Sequence, residues 1–113
     1  MRLKSSLWVS AYLRRAHQAG AFGAVVRHGD DDAGAVFIKI VAHSGEEKLF
    51  GPAPVYVLEP GEGRKWQRIS PENGKLDEFL ERERSFDPDL WVVEIEDRDG
   101  RDFLHETELH IPE

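Results

Sequence analysis

Two groups of residues in this chain have the types and spacing to do chemistry. Arg14, Arg15 and Arg27, with Asp30, Asp32, Asp87 and Asp89, stand near predicted element ends. There both signs of charge can gather round a polar metabolite and shift carboxylate pKa values. That arrangement would serve a small-ligand-binding protein or an enzyme, and it requires the seven side chains to converge on one concavity. Arg64, Lys65, Trp66 and Arg68 form the one basic stretch that contains an aromatic. Such a strand can stack a base and neutralise phosphate, which makes contact with single-stranded RNA the second candidate chemistry. The competing reading is an amphipathic edge strand with Trp66 turned inward and its cations in solvent.

Other constellations fall short of a site. The run Asp30-Asp31-Asp32 offers hard oxygens, but Val41 stands where a calcium loop needs its closing acid. Asp97-Arg98-Asp99-Gly100 resembles half such a loop, yet Ile95 occupies the first ligand position, and Asp-Gly between apolar runs is itself a turn signal. No two of His17, His28, His43, His105 and His110 have the i,i+4 spacing of a helical zinc pair. Neither a phosphate-binding glycine loop nor a Gly-x-Ser-x-Gly elbow is present, so no metal and no cofactor is expected. The sequence leans away from an enzyme.

The elements that would position these residues must come from 113 amino acids, enough for one domain with a real core. Acids outnumber bases 22 to 15, for a net charge of −7, which repels a phosphate backbone and makes DNA binding unlikely. There is no Cys, which removes disulfides, thiolate zinc sites and cysteine nucleophiles and fits a reducing compartment. Arg14-Arg15 interrupts the first apolar stretch too early for a membrane span or a secretory leader, so the expectation is a soluble cytoplasmic protein.

Trp8, Tyr12, Ala16 and Ala19 recur at helical spacing between a Ser5 or Ser6 cap and Gly20. Ala21 to His28 reads as a strand that turns through Gly29 to Gly34 into a central strand, Ala35 to Ala42, apolar on both faces except for Lys39. Lys48 to Phe50 reads as a short strand. Val55 to Leu58 and Arg64 to Ile69 are expected to pair as a hairpin around the loop Glu59 to Gly63. Ser70-Pro71-Glu72 reads as the start of a surface helix that runs to about Ser85 and ends before Pro88. Leu90 to Glu96 is a strand with Trp91, Val93 and Ile95 inward, and Arg101 to His105 is expected to complete a hairpin with it. The tail from Glu106 to Pro112 reads as an edge strand or a short helix.

The blocks Trp8 to Arg15, Gly29-Asp30 with Asp32 to Val36, and Asp87 to Asp97 together resemble a family of short bacterial proteins known as domain of unknown function 1491. The resemblance spans nearly the whole chain and implies a small stand-alone α+β domain, with no catalytic residues to carry over. The fold class expected is α+β, a mainly antiparallel twisted sheet of about five or six strands with two packed helices, as a single domain over residues 1–113. The function expected first is a noncatalytic cytoplasmic domain acting through protein contacts, as a homodimer or with an unidentified protein partner, joined by an edge strand or an exposed aromatic face.

Overall fold

Two runs that bury side chains on both faces, Val36–Ala42 and Trp91–Asp97, lie side by side at the centre of a five-stranded sheet. The computed structural model describes residues 3–58 and 63–111. In chain order the elements are α1 (Ser5–Gln18), β1 (Phe22–Arg27), β2 (Val36–Ala42), β3 (Glu47–Pro52), β4 (Trp66–Ile69), α2 (Leu76–Phe86) and β5 (Trp91–Asp97). Short 3-10 turns occupy Val55–Val57 and Glu106–Glu108. Across the sheet the order is β1-β5-β2-β3-β4. β5 runs parallel to β2, with Ile38 opposite Val93, and the remaining pairs are antiparallel. The architecture is α+β with two helices, as expected.

The pleat of the central strands sorts the core into two layers, because successive side chains point to opposite faces. On one face α1 lays Trp8, Val9, Tyr12 and Ala16 over Val36, Ile38, Ile40, Val93 and Ile95. Trp66 joins this layer, 1% exposed, its ring stacked 4.1 Å from that of Trp8 and its indole N–H donated to the Val36 carbonyl. On the other face α2 lays Leu76 and Leu80 over Phe37, Leu49, Leu90 and Val92.

The turn expected from Gly29 to Gly34 does not set the first two strands side by side, because β5 lies between β1 and β2. β5 buries side chains on both faces and so takes a central place, whereas β1, with Gly23, Ala24 and Arg27, goes to the edge. The residues from Gly29 to Gly34 are therefore a link over the end of β5. Asp30 N–H donates to the Asp89 carbonyl at 2.9 Å, Trp91 Nε1–H to the Asp30 carbonyl at 2.8 Å, and Trp91 N–H to the Ala35 carbonyl at 2.7 Å.

The hairpin expected around the loop Glu59 to Gly63 is also replaced. Val55–Val57 is a 3-10 turn, β4 pairs with β3 instead, and residues 59–62 of the expected loop lie outside the described residues. β3 is longer than the short strand expected, and its end, Gly51 and Pro52, pairs with Gln67 and Trp66. Ser70-Pro71-Glu72 starts no helix. Gly74 N–H closes a turn on the Pro71 carbonyl, and α2 begins at Leu76. Neither Ser5 nor Ser6 caps α1: Lys4 holds the N-cap position, and the buried Ser5 hydroxyl donates to the Gly34 carbonyl at 2.7 Å.

Arg101 to His105 forms no strand. The chain turns at Gly100 and crosses α1, where the Tyr12 hydroxyl donates to the Asp102 carbonyl at 2.6 Å. The turn is held by Asp97, which is 2% exposed and accepts the Arg101 guanidinium on both oxygens. Those hydrogen bonds hold its carboxyl at about 2, well below the ordinary value of 3.8. The tail then makes one 3-10 turn and a single parallel bridge, Leu109 to Trp66.

Gly29 sits where this crossing is tightest. A Cβ there would meet the Asp89 and Leu90 backbone and the Trp91 ring closer than van der Waals contact allows. Gly29→Ala is expected to destabilise the protein by about 2 kcal/mol in urea melts, the cost of overpacking a backbone crossing. An unchanged midpoint would show that the two loops do not rest on each other.

Candidate functional site

A concavity of about 510 Å³ forms a groove between β1 and α2. Its floor is Leu80, Leu90 and Val92, and its rim carries Arg27, His28, Lys39, Asp77, Glu81, Arg84 and Glu94. β1 supplies one wall with Val26 and Arg27, and α2 supplies the other. An apolar floor with convergent polar groups is the usual form of a ligand site.

Lys39 stands at one end of the groove, 9% exposed, in the middle of β2. Its ammonium lies 3.0 Å from Asp77 of α2, 3.3 Å from Glu47 of β3 and 3.7 Å from Glu94 of β5. Burial alone would push its pKa down, but hydrogen bonding and charge from Asp77 and Glu47 outweigh that and hold it above its ordinary 10.5. Lys39 is therefore charged throughout the neutral range. It cannot act as a neutral amine nucleophile there, because such lysines need a depressed pKa. It ties α2 to two strands.

At the other end, Arg27 donates from Nη2 to the Pro88 carbonyl at 3.0 Å, and its Nε is buried without a hydrogen-bond acceptor among the described residues. The His28 ring lies 4.0 Å from that of Trp91, with its Nε2 2.7 Å from Asp31 Oδ1.

The structure brings together only part of the first predicted cluster. Arg27, Asp30, Asp87 and Asp89 meet where the link after β1 crosses the turn before β5. The carboxylates there mostly serve the backbone: Asp30 Oδ2 accepts from Asp32 and Ala33 N–H, and Asp87 Oδ1 accepts from Asp89 N–H. Asp32 faces Lys4 at 3.6 Å, both side chains well exposed. Arg14 lines a shallow hollow on α1 with Ser10, Leu13, His17 and Gln18. Arg15 donates to the Phe103 carbonyl and to Glu108 across the tail. The seven residues thus share no single concavity.

The basic-aromatic stretch is also differently employed. Trp66 is core, so no base can stack on it while the fold is intact. Arg64 is 9% exposed, and its Nη2 donates to Ser5 Oγ at 2.7 Å. Lys65 is half-buried and Arg68 exposed on β4. Among the described residues no three Asp, Glu or His side chains converge as metal ligands.

A second polar cluster holds the tail. Glu108 accepts from Trp8 Nε1–H at 3.0 Å, Arg15 at 2.8 Å and His105 N–H at 2.8 Å. Burial would raise its carboxyl, but these donors outweigh it and leave it below the usual range. Burial also raises the Tyr12 hydroxyl far above its ordinary value, so it remains a donor.

The whole architecture is matched by known proteins. A family model described as a protein of unknown function, DUF1491, matches residues 3–105. The chain belongs to the DUF1491 family. A crystal structure of a DUF1491 protein from Caulobacter crescentus CB15 is 44% identical, with a TM-score of 0.81 over 96% of this chain and 99% of that one. An NMR structure of a DUF1491 protein from the same organism is 43% identical, with a TM-score of 0.78 over 98% and 99% of the two chains. The solution structure of protein Atu0922 from A. tumefaciens, 43% identical, gives 0.73 over 86% of this chain and 87% of that one. No curated protein matches.

Sequence reasoning marked Lys39 as the one charge on a covered strand but could not name its partners, which come from three other elements. In this DUF1491 protein, Lys39→Met would leave three carboxylates facing one another. A loss of about 2 kcal/mol in denaturant melts near pH 7.5 is expected at low salt, shrinking at high salt as the repulsion is screened. A deficit independent of salt would show that the carboxylates do not sense one another.

Proposed function

We propose that this DUF1491 protein is a noncatalytic bacterial cytoplasmic domain that acts through protein contacts along the free edge of β1. One observation carries the reading. The sheet's two edges are treated differently: β4 is covered by the tail, His110 N–H donating to the Trp66 carbonyl at 2.8 Å, whereas among the described residues no strand covers β1. That edge presents Phe22 and Val26, each 63% exposed, where edge strands ordinarily carry charge or proline. An uncovered apolar edge is a template for strand addition. The cytoplasmic part is supported by the absence of Cys and by the absence of any helix long and apolar enough to cross a membrane among the described residues. Its bacterial setting is supported by the source of the similar proteins.

The test is photo-crosslinking in cells, with benzoylphenylalanine placed at Phe22 and, as a control, at Phe86, which is 81% exposed on α2. Adducts from position 22 and none from position 86 are expected. Their mass shows whether the partner is the same chain or another. No adduct from Phe22 would sink the reading.

A second reading, that the groove takes a small anionic ligand, is favoured by the buried Arg27 Nε that lacks an acceptor, since such a donor calls for a bound oxygen. Hexanoate offers a carboxylate and an apolar chain of suitable size. A saturable rise in melting temperature with hexanoate, absent with hexanamide and in Arg27→Gln, is expected on this reading. Equal shifts with the acid and the amide would remove it.

A further inference from the structure

Taking β1 as a docking edge as proposed above, we infer that the strand it receives is β1 of a second copy of this chain, paired antiparallel about Ala24. The hydrogen-bonding phase of the strand is the first support. Gly23 N–H donates to His17 Nε2 at 3.2 Å, and the Gly23 carbonyl lies 3.1 Å from the same nitrogen. Both groups therefore point away from β5. Antiparallel pairing alternates inward and outward residues, so Val25, opposite Val93, also turns its N–H and carbonyl outward. A two-fold axis through Ala24 sets Gly23 of one copy opposite Val25 of the other, and the reverse. The residues whose polar groups face outward then meet each other as two hydrogen-bonded pairs.

Side chains follow the same symmetry. Phe22 stands opposite Glu96 on the α2 side of the sheet, and Val26, at the bulge, lines the groove on that side with Leu90 and Val92. The axis brings Phe22 of each copy against Val26 of the other, so the two most exposed apolar side chains of the edge cover each other. Ala24 falls on the axis, where a non-hydrogen-bonded pair brings two Cα atoms to about 4.5 Å and a small side chain fits.

His17 works against this pairing. In the single chain its Nε2 stands against the outward N–H and carbonyl of Gly23, and the ring must swing aside before a strand can dock. The contact is one short strand wide and falls in the weak, transient class of interfaces.

Sedimentation equilibrium of the full chain from roughly 10 µM to 1 mM is expected to show a reversible monomer–dimer equilibrium. Val25→Pro removes an outward N–H, which an edge strand tolerates, and Val26→Lys places a charge in the new seam. Each is expected to weaken association at least about tenfold, and His17→Ala to strengthen it several-fold. Should Val25→Pro fail to fold, as a thermal melt would reveal, Val26→Lys carries the test. A monomer at every concentration, or a dimer that Val26→Lys leaves unchanged, overturns the second-copy inference. A Phe22 adduct to a different protein would still support docking at β1, so the two readings fail separately.

Discussion

The crossing of two loops at the head of β5 is the constraint on which the rest of the molecule depends. Trp91 donates both its backbone N–H and its indole N–H to the link that follows β1, and Asp30 N–H returns a bond to Asp89. With these bonds β5 lies parallel to β2 and separates it from β1. Side chains buried on its two faces then divide the core between α1 and α2. A parallel pair in an otherwise antiparallel sheet needs a crossover, and α2 supplies it on the face opposite α1.

Much of this was legible in the residues, and what was not has a physical cause. The two-faced character of Val36–Ala42 and the inward set Trp91, Val93 and Ile95 follow from period-two patterning, which is local. Which strands neighbour each other is not local. Gly29 to Gly34 has turn composition whether it closes a hairpin or crosses a strand end, and the two outcomes differ only in what β5 buries. Val55 to Leu58 is apolar enough for a strand, yet Pro52 and Pro54 flank it and the chain makes a 3-10 turn. Trp66 illustrates the candidate site: its basic neighbours suggest a nucleic-acid surface, and only its stacking on Trp8, far away in sequence, shows it to be core. The groove was illegible for the same reason, since its walls come from β1 and α2 and its most buried charge, Lys39, is satisfied by residues from three elements.

The two edges of the sheet show how one fold can hold one side shut and leave the other accessible. On β4 a backbone donor from the tail occupies Trp66. On β1 a side chain, His17, does the corresponding work for a single residue. A side chain can rotate away at small cost, whereas the tail is anchored through Glu108 to Trp8 and Arg15.

That anchoring separates two definitions of where this unit ends. The stretch over which the family is recognised stops at residue 105. The residues that receive the Trp8 indole and the Arg15 guanidinium and seal the β4 edge come after it, at Glu108, Leu109 and His110. Kinship read from sequence therefore marks a shorter span than the one that packs. Relatives aligned only as far as the recognised boundary would be compared without the segment that closes one side of the sheet.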